Sequence, residues 1–148
     1  MKANIGRAIL GGFVGTLAIT FMMYVISPML MGMPMDVAAM LGDFLGVGWT
    51  LGMVVHFLNG TIIFPLILVF ILWNALPGGA TSKGAIWGLV LWFVAQAIVM
   101  PMMGGGFFSA NAGGMMAVAG SLIGHLVYGA LLGVITGQPE QARLAKAA

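Results

Sequence analysis

The stretch "VGWTLGMVVHFLNGTIIFPLILVFILWNAL", residues 47–76, carries no charged side chain over 30 positions. A helix needs about 20 mainly apolar residues to cross the hydrocarbon core of a bilayer, so this stretch reads as a membrane span. Three further runs of the same kind cover residues 5–33, 85–106 and 115–136. The 148-residue chain is 61% hydrophobic and only 5% charged, with a mean hydropathy of +1.14. A soluble domain carries about 25% charged residues, so lipid must be the solvent for most of this surface. The four runs use nearly the whole chain. The expectation is one membrane domain over residues 1–148, an all-α, polytopic four-helix bundle without a soluble module. The first run is much longer than the apolar core of a signal peptide and is read as a retained span.

Charge sets the orientation. Lys2 precedes the first run and Arg7 lies at its start, Lys83 lies between the second and third, and Arg143 and Lys146 follow the fourth. All five basic residues fall on one side, which the positive-inside rule makes cytoplasmic. A bacterial-type inner (plasma) membrane with both termini cytoplasmic is expected. Trp73 and Trp87 suit the inner interface, and Trp49, Phe107 and Phe108 the outer one. Asp36 and Asp43 fall in the first outer loop, where residues 34–46 read as a short interfacial helix with both carboxylates on its wet face. The second outer loop, "GGGFFSANAGG" at residues 104–114, reads as a flexible connection.

The two halves resemble each other. A shift of 73 residues superposes Gly11 on Gly84, Gly15 on Gly88, Pro28 on Pro101, Met29 on Met102 and Gly32 on Gly105. A shift of 69 then superposes His56 on His125 and Gly60 on Gly129. The bundle is therefore read as two tandem two-helix repeats, about residues 11–60 and 84–129, related by an axis along the membrane normal. Gly11-xxx-Gly15 and Gly84-xxx-Gly88 offer small-xxx-small faces for close helix contact. Pro28 and Pro101 are placed to bend or end their helices, and Pro65 to kink the second span.

His56 and His125 are the only histidines. They come nine and ten residues into spans that run from outside to inside, so both lie roughly 15 Å deep, near mid-membrane. In a bundle wound in sequence order these spans face each other across the centre. Two imidazoles facing one another suit a metal with two axial nitrogens, and haem iron is commonly held by histidine. Gly52 and Gly60 lie one turn either side of His56, and Ser121 and Gly129 do the same for His125. They are read as clearing room for a flat macrocycle. Asn59, Tyr128 and Gln96 are placed to hydrogen-bond propionates or ring edges.

With these residues the chain resembles the haem-holding four-helix core of membrane cytochrome b proteins, in which histidines of the second and fourth helices grip haem beside glycines. The resemblance implies a haem b held by His56 and His125, used for electron transfer with a quinol or an outer-side redox protein. It departs from that family in having one histidine per ligating helix, so one haem at most. It also has no arginine or lysine within the spans to pair with propionates.

Methionine supplies a second reading. The chain holds 14, of which Met29, Met31, Met33, Met35, Met102 and Met103 lie at the expected outer mouth. Thioethers are soft donors that select Cu(I), so a methionine-lined mouth above two histidines suits copper, although methionine also fills irregular apolar gaps without any ligand. Other classes find little support. There is no cysteine for thiolate or disulfide chemistry, no buried carboxylate to orient a histidine as base and no phosphate-binding glycine loop. Five basic residues are too few for a nucleic-acid footprint. An electron carrier or a subunit fits better than a stand-alone enzyme. Assembly as a homo-oligomer, or as an accessory subunit of a larger membrane complex, stays open.

Overall fold

The computed structural model describes residues 2–137. Arg143 and Lys146 lie outside the described residues. Every long element is helical: α1 (Ile5–Met31), α3 (Gly48–Leu72), α4 (Ala80–Met102) and α5 (Gly114–Thr136) are each long and apolar enough to cross a membrane. The short α2 (Val37–Leu45) lies between α1 and α3. The protein is a multi-pass membrane protein with a four-helix bundle fold, and lipid is its surroundings.

Three of the spans contain a π-helical turn just ahead of a proline. Met22–Ile26 precedes Pro28, Asn59–Ile63 precedes Pro65, and Ala95–Val99 precedes Pro101. Proline lacks an N–H, and its ring crowds the carbonyl four residues earlier. A widened turn takes up that misfit, so the helices pass their prolines instead of ending at them. The turns in α1 and α4 stand 73 residues apart, the offset of the sequence repeat. No proline interrupts α5, which is α-helical over 23 residues.

Small residues set the helix contacts, as expected where lipid gives no hydrophobic drive for association. Along α4 and α5, a Cβ on Gly84, Gly88, Gly129 or Gly133 would fall closer than 3.0 Å to backbone of the opposite helix. Gly15 of α1 lies against Tyr128 of α5, and Gly12 lies against Pro65 and the Gly60 carbonyl of α3. The α3–α4 seam is closed by larger groups: Phe64 and Trp87 meet edge to face at 6.4 Å, and Trp87 Nε1 donates to the Phe64 carbonyl at 3.2 Å. The helices therefore run in ring order α1, α3, α4, α5, with α3 and α5 facing across the centre. There Tyr128 Oη donates to the Gly60 carbonyl at 2.7 Å.

The two ends differ in charge. At one, Arg7 Nε donates to the Ile135 carbonyl at 2.6 Å, and Lys83 Nζ donates to the Trp73 carbonyl. Trp73 and Trp87, expected at the interface, are buried in the core with Leu68, Leu91, Tyr128 and Leu132. At the other end α2 lies on the first turns of α3, so close that a Cβ on Gly52 would collide with the Ala38 carbonyl. Asp36 caps α2 by accepting from Ala39 N at 2.9 Å, and also accepts from Tyr24 Oη and from Trp49 Nε1 at 3.1 Å. It is a structural acceptor and not a carboxylate on the wet face, whereas Asp43 is exposed.

The second loop is also more than a connection. Phe108 packs against Trp92, Phe93 and Phe107, and Ser109 beside it is wholly buried. The aromatic contacts and the buried hydroxyl give this glycine-rich segment a defined path.

Candidate functional site

All four spans enclose a cavity of about 740 Å3 towards the acidic end, roofed by α2 and the 104–114 loop. Its size falls in the range of small-molecule and cofactor sites, about 300–1,000 Å3. His56, Asn59, Gln96 and His125 line it, so α3, α4 and α5 each contribute polar groups to one space in an otherwise apolar wall.

The hydrogen bonds fix both imidazole tautomers. His125 Nδ1 lies 2.8 Å from the Ser121 carbonyl, which only accepts, so Nδ1 carries a proton. In the neutral ring the lone pair is then on Nε2. This is the arrangement by which a ligating histidine is oriented, one nitrogen on a backbone carbonyl and the other free. His56 differs. Thr20 Oγ1 donates its one proton to the Thr16 carbonyl at 2.6 Å, so it accepts from His56 Nε2 at 3.0 Å. The lone pair of neutral His56 is on Nδ1. The equivalent of Ser121 in the first half is Gly52, but the His56 ring makes no bond to that carbonyl. His56 takes its partner from α1 instead. Among the described residues neither remaining ring nitrogen has a hydrogen-bond partner. Thr61 Oγ1 is the one fully enclosed side-chain polar atom left unpaired there, so both nitrogens border open space.

The other expected site residues divide. Asn59 lines the cavity, and no partner for its carboxamide is found among the described residues. Gln96 lines it too, its Oε1 accepting from Ser109 Oγ at 2.7 Å. Tyr128 presents its ring to the cavity, but its hydroxyl ties α5 to α3. Ser121 serves through its carbonyl, its own hydroxyl standing 3.4 Å from His125 Nδ1. The glycines do not clear room for a macrocycle. Gly52 faces α2, Gly129 faces Gly84 and Gly88, and Gly60 touches the cavity while its Cβ direction points at Thr16. Helix backbone, and at Gly60 the Thr16 side chain, fills the space that their missing side chains leave.

Of the methionines, Met31, Met33, Met35 and Met103 line the cavity, joined by Met23, Met40 and Met100. Met29 and Met102 do not: they are 78% and 60% exposed on the outer surface of the bundle. Thr20 and Ser109 were not singled out from the sequence. Thr20 stands four residues after Thr16 on one face of α1, a polar pair in an apolar helix, and that pattern was the available signal. Ser109 had none beyond being a lone hydroxyl between aromatic and small residues.

Among the described residues, no group of three or more histidine, cysteine or carboxylate side chains is arranged to hold a metal ion. No curated protein and no solved structure matches the chain. A family model matches residues 2–145, and the chain therefore belongs to the family of unknown function DUF6789.

Proposed function

We propose that this protein holds one haem b in the cavity between His56 and His125 and exchanges electrons with a membrane quinol or a redox protein at the acidic end. The supporting observation is that imidazoles from two opposite helices border one cavity of about 740 Å3, each with a lone-pair nitrogen lacking a protein partner. His125 would hold the iron through Nε2, its ring already oriented by Ser121. His56 presents Nδ1, so ligation through Nε2 requires its ring to leave Thr20. A bound haem would supply one-electron chemistry; the chain contributes the two nitrogens, exclusion of water by apolar walls, and the methionine-rich mouth. A mid-membrane site does not carry an electron the full way across, so a partner is part of this reading. The basic end, with Lys2, Arg7 and Lys83, would face the cytoplasm.

The test is an absorption spectrum of the purified protein. A Soret band with split α and β bands on reduction is expected. Protein that is colourless and takes up no ferric haem on reconstitution overturns the proposal.

A second reading is Cu(I) binding, favoured by one observation: seven methionines and both histidines line the same cavity. A bare ion would have to draw those donors to one point, which a space of this width suits less well than an organic ligand. Stoichiometric copper under reducing conditions, lost when Met31, Met35 and Met40 are changed to leucine, is the expected signature. Copper-free protein after reductive loading removes this reading.

A further inference from the structure

The polar side of the cavity holds more than the histidines. Gln96 sits within the π turn Ala95–Val99 of α4 and is 2% exposed. Its Oε1 is held by the hydroxyl of Ser109 at 2.7 Å, and Ser109 is itself wholly buried. The segment that delivers Ser109 is unusual: Phe108 and Ser109 both adopt left-handed backbone, with φ of 49° and 54°. Non-glycine residues hold that conformation only where surrounding structure imposes it, and such residues cluster at ligand clamps and active sites. Here Phe108 is wedged against Trp92 and Phe93, and the result is a hydroxyl fixed on one amide oxygen.

With its oxygen held, Gln96 has its NH2 group left. Among the described residues that nitrogen has no partner, and it is not among the fully enclosed unpaired atoms, so it borders the cavity that Gln96 lines. An amide NH2 can only donate. A hydrocarbon would leave it unpaired at a cost, and a cation would be repelled by its positive end. The unpaired nitrogens of His56 and His125 and the Asn59 carboxamide belong to the same cavity. A second cavity of about 270 Å3 adjoins the first, sharing Ile19, Met23, Ser121 and His125, and reaches Leu30, Met116 and Ile123 on the lipid-facing side. The second cavity offers room for an apolar tail beside the site.

We infer that Gln96, oriented by Ser109, is the hydrogen-bond donor of this site, and that the ligand is a membrane-soluble amphiphile whose apolar ring carries an acceptor oxygen. This rests on the reading of the His56–His125 cavity as a ligand site and adds the ligand's chemical class. The oxygen has two sources, the carboxylate of a haem or the carbonyl of a quinone.

The experiment titrates the full chain in detergent with ferric haem, with iron etioporphyrin (which has no carboxylate) and with decylubiquinone. It compares the native protein with Gln96→Leu and Ser109→Ala. A lost hydrogen bond to a charged or strongly polar oxygen corresponds to about tenfold in affinity. Gln96→Leu is expected to weaken by about that factor whichever oxygen-bearing probe binds, and Ser109→Ala, which frees the amide to turn, to weaken it less. A loss with haem but not with iron etioporphyrin marks the carboxylate; a loss with decylubiquinone marks the carbonyl. Equal affinities of native protein and Gln96→Leu for every probe overturn the inference. Should Gln96→Leu fail to fold, unchanged affinity in Ser109→Ala overturns it instead. If the native protein binds none of the probes, the cavity reading itself fails.

Discussion

Gly84→Leu is expected to abolish the folded bundle. A Cβ at Gly84 would fall closer than 3.0 Å to the Gly129 carbonyl oxygen and to the backbone of Gly133. These are main-chain atoms, so no rotamer change relieves the clash. The helices must separate, and the contact extends through Gly88, Gly129 and Gly133 along the same seam. Overpacking that side chains can absorb costs about 1–3 kcal/mol. Here the whole seam opens, so a loss above about 3 kcal/mol is expected, in the tail of single-substitution effects. The measurement is unfolding in detergent followed by circular dichroism. Gly120→Ala is the matched control, because its Cβ meets only Met35 Sδ at 3.5 Å, an ordinary contact. That variant should keep native stability or gain slightly, since alanine favours a helix over glycine by about 1 kcal/mol. If Gly84→Leu unfolds at the same denaturant concentration as Gly120→Ala, the close α4–α5 seam is wrong.

His125→Ala is expected to remove bound haem while leaving the helices intact. The side chain's recorded hydrogen bonds stay within its own helix, to Ser121, so no inter-helix tie is broken. Losing a residue that merely orients a ligand costs about 10–100-fold in metal affinity; losing the ligand itself should exceed that and erase the Soret band. Free imidazole should restore part of the band, since it fits the space vacated by the ring and supplies the same nitrogen. His56→Ala should also lose the band. A His125→Ala protein with unchanged spectrum and helix content would assign the histidine to packing alone.

The reach of the sequence differs from element to element. The spans were legible because twenty or more apolar residues in a row admit few alternatives. Their observed limits differ from the expected ones by at most five residues at any end, by five at Ala80 and four at Leu72. Counting residues also led to the expectation that His56 and His125 face one another, and both line one cavity. What counting could not supply was direction around each helix. Gly52, Gly60 and Gly129 stand one turn from a histidine, yet they point towards α2, α1 and α4. Met29 and Met102 match in sequence, and both face outward.

The 104–114 loop shows the same limit more sharply. Its composition reads as flexible, and nothing local in it announces a buried hydroxyl. Ser109 is placed by Phe108 finding Trp92 and Phe93, residues of α4 that lie 16 and 15 positions before Phe108. Thr20 reaches His56 across 36 positions, whereas His125 bonds within its own helix.

Hydropathy and charge thus determined by themselves that the chain spans a membrane four times, with two histidines at one depth, because transfer into lipid depends on composition along each segment. Tertiary structure alone decided which small residues seat helices, which line the cavity, and which polar groups remain unpaired inside it. Those outcomes depend on rotation about each helix axis and on contacts between distant segments, for which a single sequence carries no local signal.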